Sequence, residues 1–399
     1  MLRVISGGLH TYGFSIFFLP LTRDLGLSRT ATSLVFSLSK VEGAFEGPVS
    51  GHLIDRFGPR AVILVGCAVV GAGYLLLSRA WSFPMVLLIY MFVISMGFGS
   101  AFQHGLMALA NNWFIRRRGM AMAVISGSVS MGGALFPPLL SLGVYHLGWR
   151  TGAVIVGAVF LLVGIPIAWG IKSRPESVGL TPLGYGETKA TAGPEERGSP
   201  PDFTVKQALR TAAFWTLVGA SVLRLFGFNA IMVHFIPILV WKGIPETTAA
   251  FYMSGFALMG MSTHLFMGWL ADRWPKSRVL ALGMASGTVA VLILLYAPSH
   301  MLLLFMPFLV PVEALFPVTW ATVGESFGRR RFATIRGLIT MFWSVGPIAG
   351  PVVAGRVFDT TQSYTLALQV ALAGFALSSV IFLTLRRPQP KSLNQPATS

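Results

Sequence analysis

The sequence predicts an all-α membrane protein with about twelve transmembrane helices in two pseudo-symmetric halves of six helices each. Apolar residues make up 54% of the 399 residues and charged residues only 11%, and the mean hydropathy is +0.70. A soluble domain typically has about 25% charged residues. Apolar runs of about 20 residues, each long enough to cross ~30 Å of hydrocarbon, recur from end to end. A short motif also recurs at an offset of about half the chain.

The apolar runs form two groups of six. The predicted spans are 4–21, 28–53, 61–79, 83–112, 119–146, 150–171, 212–240, 246–270, 279–297, 300–323, 335–357 and 363–385. Between the two groups, the chain is rich in Gly, Pro, Glu and Thr, which is typical of a linker. We therefore predict an N-terminal half (1–171), a cytoplasmic linker (172–211) and a C-terminal half with a short cytoplasmic tail (212–399).

The distribution of basic residues predicts the orientation in the membrane. If the N-terminus is cytoplasmic, 22 of the 30 Lys and Arg residues fall on the cytoplasmic face and six on the opposite face. The positive-inside rule then places both termini and the linker in the cytoplasm of a multi-pass cell-membrane protein, with a bacterial inner membrane as the expected location. The net charge of +16 follows from this topology and does not indicate nucleic-acid binding. We expect a functional monomer in the lipid bilayer.

Motifs for other functions are missing from the sequence. It contains no G-x-x-x-x-G-K-[ST] phosphate-binding loop and no H-E-x-x-H motif, so we predict neither an ATP-driven pump nor a metalloenzyme, and no cofactor or metal. The single cysteine, Cys67, excludes an intrachain disulfide and a cysteine-based metal site. A polytopic membrane enzyme and a non-transporting sensor are the alternatives. The histidines lie at different depths in the predicted membrane rather than near one face, which argues against the enzyme. The sequence shows no signalling domain, which argues against the sensor.

The recurring motif marks the cytoplasmic end of one helix in each half. "GHLIDRFGPR" (51–60) follows the second span, and "GWLADRWPKSR" (268–278) follows the eighth. Parallel repeats related by an axis along the membrane normal characterise one class of secondary transporter. Glycine permits close approach of helices, and Asp and Arg can pair across helix ends. The predicted gate residues are Asp55, Arg56, Arg60, Asp272 and Arg273.

These motifs resemble the major facilitator superfamily over essentially the whole chain. "WFIRRRGMAMAVISGSVSMGG" (113–133) is similar to the fourth-to-fifth-span signature of its monocarboxylate-porter-like branch, which is related to the oxalate/formate antiporters. "GRRRFATIRGLITMFWSVGPIAGP" (328–351) also resembles that branch. The resemblance implies the major facilitator fold and alternating access. It also implies transport of a small, monocarboxylate-like organic anion, coupled to protons as a symport.

The sequence departs from that branch at three places. Ser6 stands where an acidic residue is expected in the first span. The eighth-span arginine that faces the substrate carboxylate in relatives is missing, and His264 is the ionisable residue at mid-membrane there. The eleventh span has no lysine, unlike the oxalate/formate antiporters. Organic-anion exchange and proton-driven efflux of a drug or metabolite therefore stay open as alternatives.

Ionisable residues within the spans are the candidates for substrate binding, because a charge at mid-bilayer costs at least ~2.5–3.5 kcal/mol on insertion scales. Arg224 could bind a carboxylate through two parallel hydrogen bonds, or could pair with Glu313 or another acid. His104 could donate a hydrogen bond to the substrate, and His234 or His264 could replace the missing arginine. Helix packing is the alternative for each histidine and tyrosine. The predicted substrate-binding residues are Arg224, His104, Gln103, Tyr12, His234, His264 and Tyr252.

The second span carries the candidates for proton coupling. Glu42 and Glu46 lie on one polar stripe of this helix, since they are one turn apart. Either could accept a proton from both sides of the membrane in turn, or could be a structural partner of a basic group. Glu42 is the more central, and Glu46 is closer to the cytoplasm, where a gate would lie. Lys40 could neutralise a carboxylate or contact the substrate. The predicted proton-coupling residues are Glu42, Glu46, Glu313 and Lys40.

Overall fold

The computed structural model describes residues 1–114, 118–180, 203–327, 332–386 and 388. Within these ranges the chain is predominantly helical, with twelve long helices in two sets of six. Nine helical segments of the described chain are long and apolar enough to cross a membrane. One of them, Val124–Gly170, contains two consecutive helices. The predicted fold class is confirmed.

The N-terminal half contains six helices, of which two consecutive pairs are joined without a loop. They are α1 (Leu2–Asp24), α2 (29–57), α3 (59–77), α4 (83–113), α5 (118–147) and α6 (149–170). Gly58 separates α2 from α3, and Gly148 separates α5 from α6, with φ angles of 81° and 80°. A residue with a side chain rarely adopts such angles, so glycine permits each abrupt reversal of chain direction.

The C-terminal half also contains six helices. Its helices are α7 (212–241), α8 (Glu246–Arg273), α9 (Lys276–Tyr296), α10 (Ser299–Phe327), α11 (332–361) and α12 (Thr365–Leu383). A short helix, Val205–Leu209, precedes α7 and begins with a capping box between Thr204 and Gln207. We call the membrane face where α6 ends and α7 begins the linker face, and the opposite face the far face.

Close backbone contacts fix how the helices pack. A Cβ atom on Gly132 of α5 would lie 1.9 Å from the carbonyl oxygen of Val4, so α1 and α5 touch through their backbones. Small residues permit such contacts between membrane helices. The two halves meet where α2 packs on α11 and α5 packs on α8. Near the far face, Gly355 of α11 lies against the backbone of Arg29 and Thr30.

Candidate functional site

A central cavity of about 430 Å³ lies between the two halves. Helices α1, α2, α4 and α5 line it on the N-terminal side, and α7, α8 and α10 on the C-terminal side. The structure brings six of the residues predicted from the sequence to its wall. They are Tyr12, Lys40, Glu46, Gln103, His104 and Glu313. Predicted substrate-binding and proton-coupling residues therefore share one cavity.

Glu46 and His104 form an acid–base pair at this wall. The Glu46 carboxylate is only 4% exposed, and it accepts hydrogen bonds from Ser50 and from Ser100 (2.9 Å). His104 Nε2 lies 3.4 Å from the second carboxylate oxygen. A Cβ atom at Gly99 would lie 2.6 Å from that oxygen, so glycine makes the room that Glu46 occupies. The pair connects α2 to α4.

Glu313 lies where the two halves meet at the cavity. Its half-buried side chain on α10 is near the Tyr12 hydroxyl of α1, which is also near Ser130 of α5. His264 of α8 acts on it electrostatically. His264 itself is half-buried and donates through Nδ1 to the Gly260 carbonyl oxygen (2.7 Å). One oxygen of Glu313, Oε2, has no hydrogen-bond donor within the described part of the chain.

Two basic side chains give the cavity positive charge. Lys40 is exposed to it, with Nζ 4.7 Å above the Phe36 ring. Arg3 lies 5.8 Å from the Phe98 ring, and its Nε and Nη1 atoms are buried without an acceptor among the described residues. Sequence reasoning missed Arg3 as a site residue, because the first span was predicted to begin at residue 4. The helix begins at Leu2, which brings Arg3 into the cavity wall.

His10 and Asn229 also line the cavity and were not among the predicted site residues. The His10 ring lies 4.1 Å from the Phe98 ring, and its Nδ1 is 3.0 Å from the Tyr74 hydroxyl. His10 could have been selected as an ionisable residue within the first span. Asn229 is a neutral side chain in an apolar helix, and sequence offers little signal for it.

Four predicted substrate-binding residues do not line the cavity. They are Arg224, His234, His264 and Tyr252. Arg224 is buried in the C-terminal half and donates through Nη1 to the Val312 carbonyl oxygen (3.0 Å). Tyr252 packs, partly buried, against the hydrophobic core. Among the described residues, no group of three or more His, Cys, Asp or Glu side chains could hold a metal ion.

His234 joins the two halves near the far face. Its Nε2 atom lies 2.8 Å from the Ser33 hydroxyl of α2 and donates to the Pro351 carbonyl oxygen of α11 (3.0 Å). Its Nδ1 atom lies 2.8 Å from the Tyr364 hydroxyl, which accepts a hydrogen bond from Arg29 (2.6 Å). This fully buried histidine therefore holds α2 to α11 and to the start of α12.

Asp359 of α11 strengthens the same contact. Its carboxylate accepts hydrogen bonds from the backbone N–H groups of Arg29 (2.9 Å) and Thr30 (2.8 Å) and from the Thr30 hydroxyl (2.5 Å). A negative charge at a helix N-terminus stabilises unpaired N–H groups. Nearby, Arg23 and Glu246 form an ion pair (2.5 Å) between α1 and α8. The far face is thus closed by polar contacts between the halves.

The predicted gate residues lie at the linker face. The side chains of Asp55 and of the proton-coupling candidate Glu42 fall outside the described part of the structure. Arg60 donates to the Trp169 carbonyl oxygen (2.7 Å), and Arg273 lies 4.3 Å above the Trp269 ring. Arg56 and Asp272 are exposed. In the described residues these side chains form no contact between the halves, so their gate role stays a prediction.

Comparisons with known proteins match the whole chain. The profile of the Major Facilitator Superfamily matches residues 4–312 and 242–399. Monocarboxylate transporter 13 of Bos taurus is 26% identical over 386 residues, covering 96% of this chain and 86% of that protein. The oxalate:formate antiporter of Oxalobacter formigenes is 24% identical over 399 residues, covering 95% and 89%. A bacterial homolog of the human lysosomal transporter Spinster, solved in an inward-facing and occupied conformation, has a TM-score of 0.72 at 16% identity, covering 98% and 96%.

Proposed function

The chain belongs to the Major Facilitator Superfamily, and from this premise we propose that it is a secondary active transporter that moves a small, monocarboxylate-like organic anion together with a proton. Proteins of this family are transporters and not enzymes. The similar proteins named for monocarboxylates and for oxalate and formate support the choice of substrate class. The central observation is a cavity between the halves that is lined by both basic and acidic side chains.

In this proposal, the basic side chains of the cavity bind the substrate carboxylate. The Nε and Nη1 atoms of Arg3 have no acceptor among the described residues, and a carboxylate can accept hydrogen bonds from a guanidinium. Lys40 and His104 line the same cavity and add positive charge and a hydrogen-bond donor. A volume of about 430 Å³ suits a small acid.

The Glu46–His104 pair is the proposed proton site. A proton on Glu46 would offset the charge of the bound anion, so that the loaded cavity would be nearly neutral when the halves reorient. Charge neutrality matters because an unpaired charge is costly within a membrane. Glu313 is the second candidate, since it is half-buried and lines the same cavity as Tyr12.

We also propose that the structure is the inward-facing state of an alternating-access cycle. The far face is closed by the contacts of His234, Asp359 and Arg23 with the opposite half. The positive-inside rule assigns the linker face to the cytoplasm. Outward opening would then require these far-face contacts to break and a new gate to form at the linker face.

Anion exchange is the second candidate function, favoured by the similarity to the oxalate:formate antiporter. An exchanger would balance charge with a returning anion and would need no proton. The two candidates differ in their driving force, because only the symporter accumulates its substrate in response to a pH gradient.

Purified protein in liposomes tests the proposal. We expect labelled monocarboxylates to accumulate when the exterior is acidic, and Arg3→Gln to lower uptake at least tenfold, equivalent to about 1.4 kcal/mol of binding free energy. Arg79→Gln is the control, because Arg79 is exposed in the far-face turn between α3 and α4. Uptake that requires an internal anion and ignores the pH gradient would indicate exchange. The substrate assignment is wrong if no monocarboxylate, dicarboxylate or sulfonate is transported.

A further inference from the structure

A second cluster of buried polar groups lies in the C-terminal half, away from the central cavity. Its centre is Arg224, about 18 Å along α7 from Ala212, at 1.5 Å per residue, and 2% exposed. One nitrogen donates to the Val312 carbonyl oxygen, but Nε and Nη2 have no acceptor among the described residues. A guanidinium stays protonated in proteins, so a permanent positive charge is buried here beside one neutral acceptor.

Three further buried polar groups of this region also lack hydrogen-bond partners among the described residues. The guanidinium carbon lies 6.0 Å from the centre of the Trp343 ring, which in turn lies 4.5 Å from the Trp320 ring. The indole nitrogens of both tryptophans are buried without an acceptor in the described structure, as is the hydroxyl of Ser221, one turn before Arg224. An indole N–H can donate but cannot accept. The cluster therefore has an excess of donors and positive charge.

The packing of α7 on α11 creates this cluster. A Cβ atom at Gly346 would lie 2.8 Å from the Val222 carbonyl oxygen, and one at Gly350 would lie 2.2 Å from that of Phe226. The two backbones are therefore in contact at these two glycines. Trp343, one turn before Gly346, is placed next to Arg224.

The described carboxylates of the C-terminal half do not neutralise Arg224. Glu313 interacts with Tyr12, and Glu325 pairs with Lys276 (2.5 Å). Asp359 binds the start of α2, Glu246 pairs with Arg23, and Asp272 is exposed at the linker face. The undescribed segment 328–331 has the sequence GRRR and contains no acid. A buried charge within a membrane normally has a partner of opposite charge.

We propose that Arg224, Trp320 and Trp343 bind a small monovalent anion, either a halide or a short carboxylate, at a site separate from the transport cavity. A water molecule could accept hydrogen bonds from the N–H groups but would leave the guanidinium charge uncompensated. An anion accepts the hydrogen bonds and also compensates the charge. The anion is small because Trp343 is only 3% exposed. Arg336 is exposed near the linker face, 4.7 Å above the Trp320 ring, and would attract anions toward the site.

Thermal unfolding of the purified protein tests this site. We expect the Tm to rise saturably with chloride at constant ionic strength, relative to gluconate, because a ligand that binds only the folded state stabilises it. Arg224→Met should abolish this dependence, and it removes the buried charge that would otherwise oppose folding without the anion. Trp343→Phe keeps the ring and removes one donor, so we expect about a tenfold loss of apparent chloride affinity. Trp113→Phe is the control, because that indole donates to the Lys172 carbonyl oxygen in the other half.

Further titrations separate this site from the transport cavity and identify its ligand. Bromide should stabilise the protein like chloride if the site takes halides, whereas formate and acetate should do so if it takes a carboxylate. Arg3→Gln should lose transport but keep the stabilisation, which distinguishes failure of this proposal from failure of the proposed function. The proposal is overturned if the wild type shows no anion dependence, if Arg3→Gln abolishes it, or if Arg224→Met retains it. If Arg224→Met does not fold, an unchanged affinity in Trp343→Phe overturns it instead.

Discussion

Glu46 and Arg224 show two ways in which this chain holds an ionisable side chain inside a membrane helix. Glu46 is surrounded by donors from Ser50, Ser100 and His104, and so its carboxylate is satisfied whether or not the cavity is filled. Arg224 has one backbone acceptor, and its Nε and Nη2 atoms have no acceptor among the described residues. The donors around Glu46 stabilise its ionised form, whereas the charge of Arg224 has no carboxylate partner among the described residues.

At the residue scale, Glu46→Gln tests proton coupling. The amide has nearly the same shape but cannot take up a proton in the physiological range. We expect the variant to exchange labelled substrate across liposomes and to lose accumulation driven by a pH gradient. Glu176→Gln is the control, because Glu176 is exposed in the short helix Pro175–Val178. If Glu46→Gln still accumulates substrate in response to a pH gradient, Glu46 is not the proton site, and Glu313 and Glu42 are the next candidates.

At the scale of the helices, glycine decides how closely α1 approaches α5. Gly7, Gly8 and Gly132 each lie where a Cβ atom would collide with the facing helix. This approach places the start of α1 against α5 and holds Arg3 and Tyr12 at the cavity. Residues that bear no side chain therefore position this helix and the polar residues that it carries.

Gly132→Ala should destabilise the protein by roughly 1–3 kcal/mol, which is typical of overpacking. Its Cβ atom would lie 1.9 Å from the Val4 carbonyl oxygen, and a backbone atom cannot move aside without shifting α1. The Tm of the purified variant measures the effect. Gly127→Ala lies on the same helix with no atom within 4 Å of the new Cβ, so its Tm should stay within about one degree of the parent. Equal Tm values for the two variants would contradict the packing argument.

At the scale of the whole molecule, contacts between the halves are uneven. At the far face the described residues form a buried contact between His234 and Ser33 and part-buried contacts between Asp359 and the start of α2. The Arg23–Glu246 pair adds little, because its arginine side chain is 62% exposed and surface ion pairs contribute about 0–1 kcal/mol. Far-face closure therefore depends chiefly on the cluster around His234 and Asp359.

Asp359→Asn should open the far face more often, by about tenfold, because the amide nitrogen cannot accept the N–H groups at the start of α2. Losing such a cap costs ~1 kcal/mol or more. To measure this opening, Asn229 in the cavity wall is replaced with cysteine in a Cys67→Ala background. The rate at which a membrane-impermeant thiol reagent, added at the far face, labels that cysteine reports how often the far face opens. Asp24→Asn is the control, since Asp24 bonds to Trp149 and Arg150 within its own half. Unchanged labelling in Asp359→Asn would show that this cap does not hold the gate.

The sequence by itself determined the membrane location, the number of helices and the two-half repeat. These properties are local or one-dimensional: an apolar run of about 20 residues spans a bilayer whatever its neighbours are, and a motif repeats at a readable offset. The "GHLIDRFGPR" segment marked the end of the second span, which was predicted at residue 53, whereas α2 continues to residue 57. The predicted helix ends were less accurate. The first span was predicted to begin at residue 4, whereas the helix begins at Leu2, so Arg3 was not predicted as a cavity residue.

Only the tertiary structure decided which intramembrane residues share a site. Glu46 and Arg224 both interrupt apolar helices, yet one lies at the cavity with His104 and the other lies between α7, α10 and α11. His234 could have faced a substrate, but it joins α2 to α11. In each case the outcome depends on how a helix is rotated about its axis and which neighbour it meets. Contacts between distant segments set that rotation, and helical periodicity alone does not contain it.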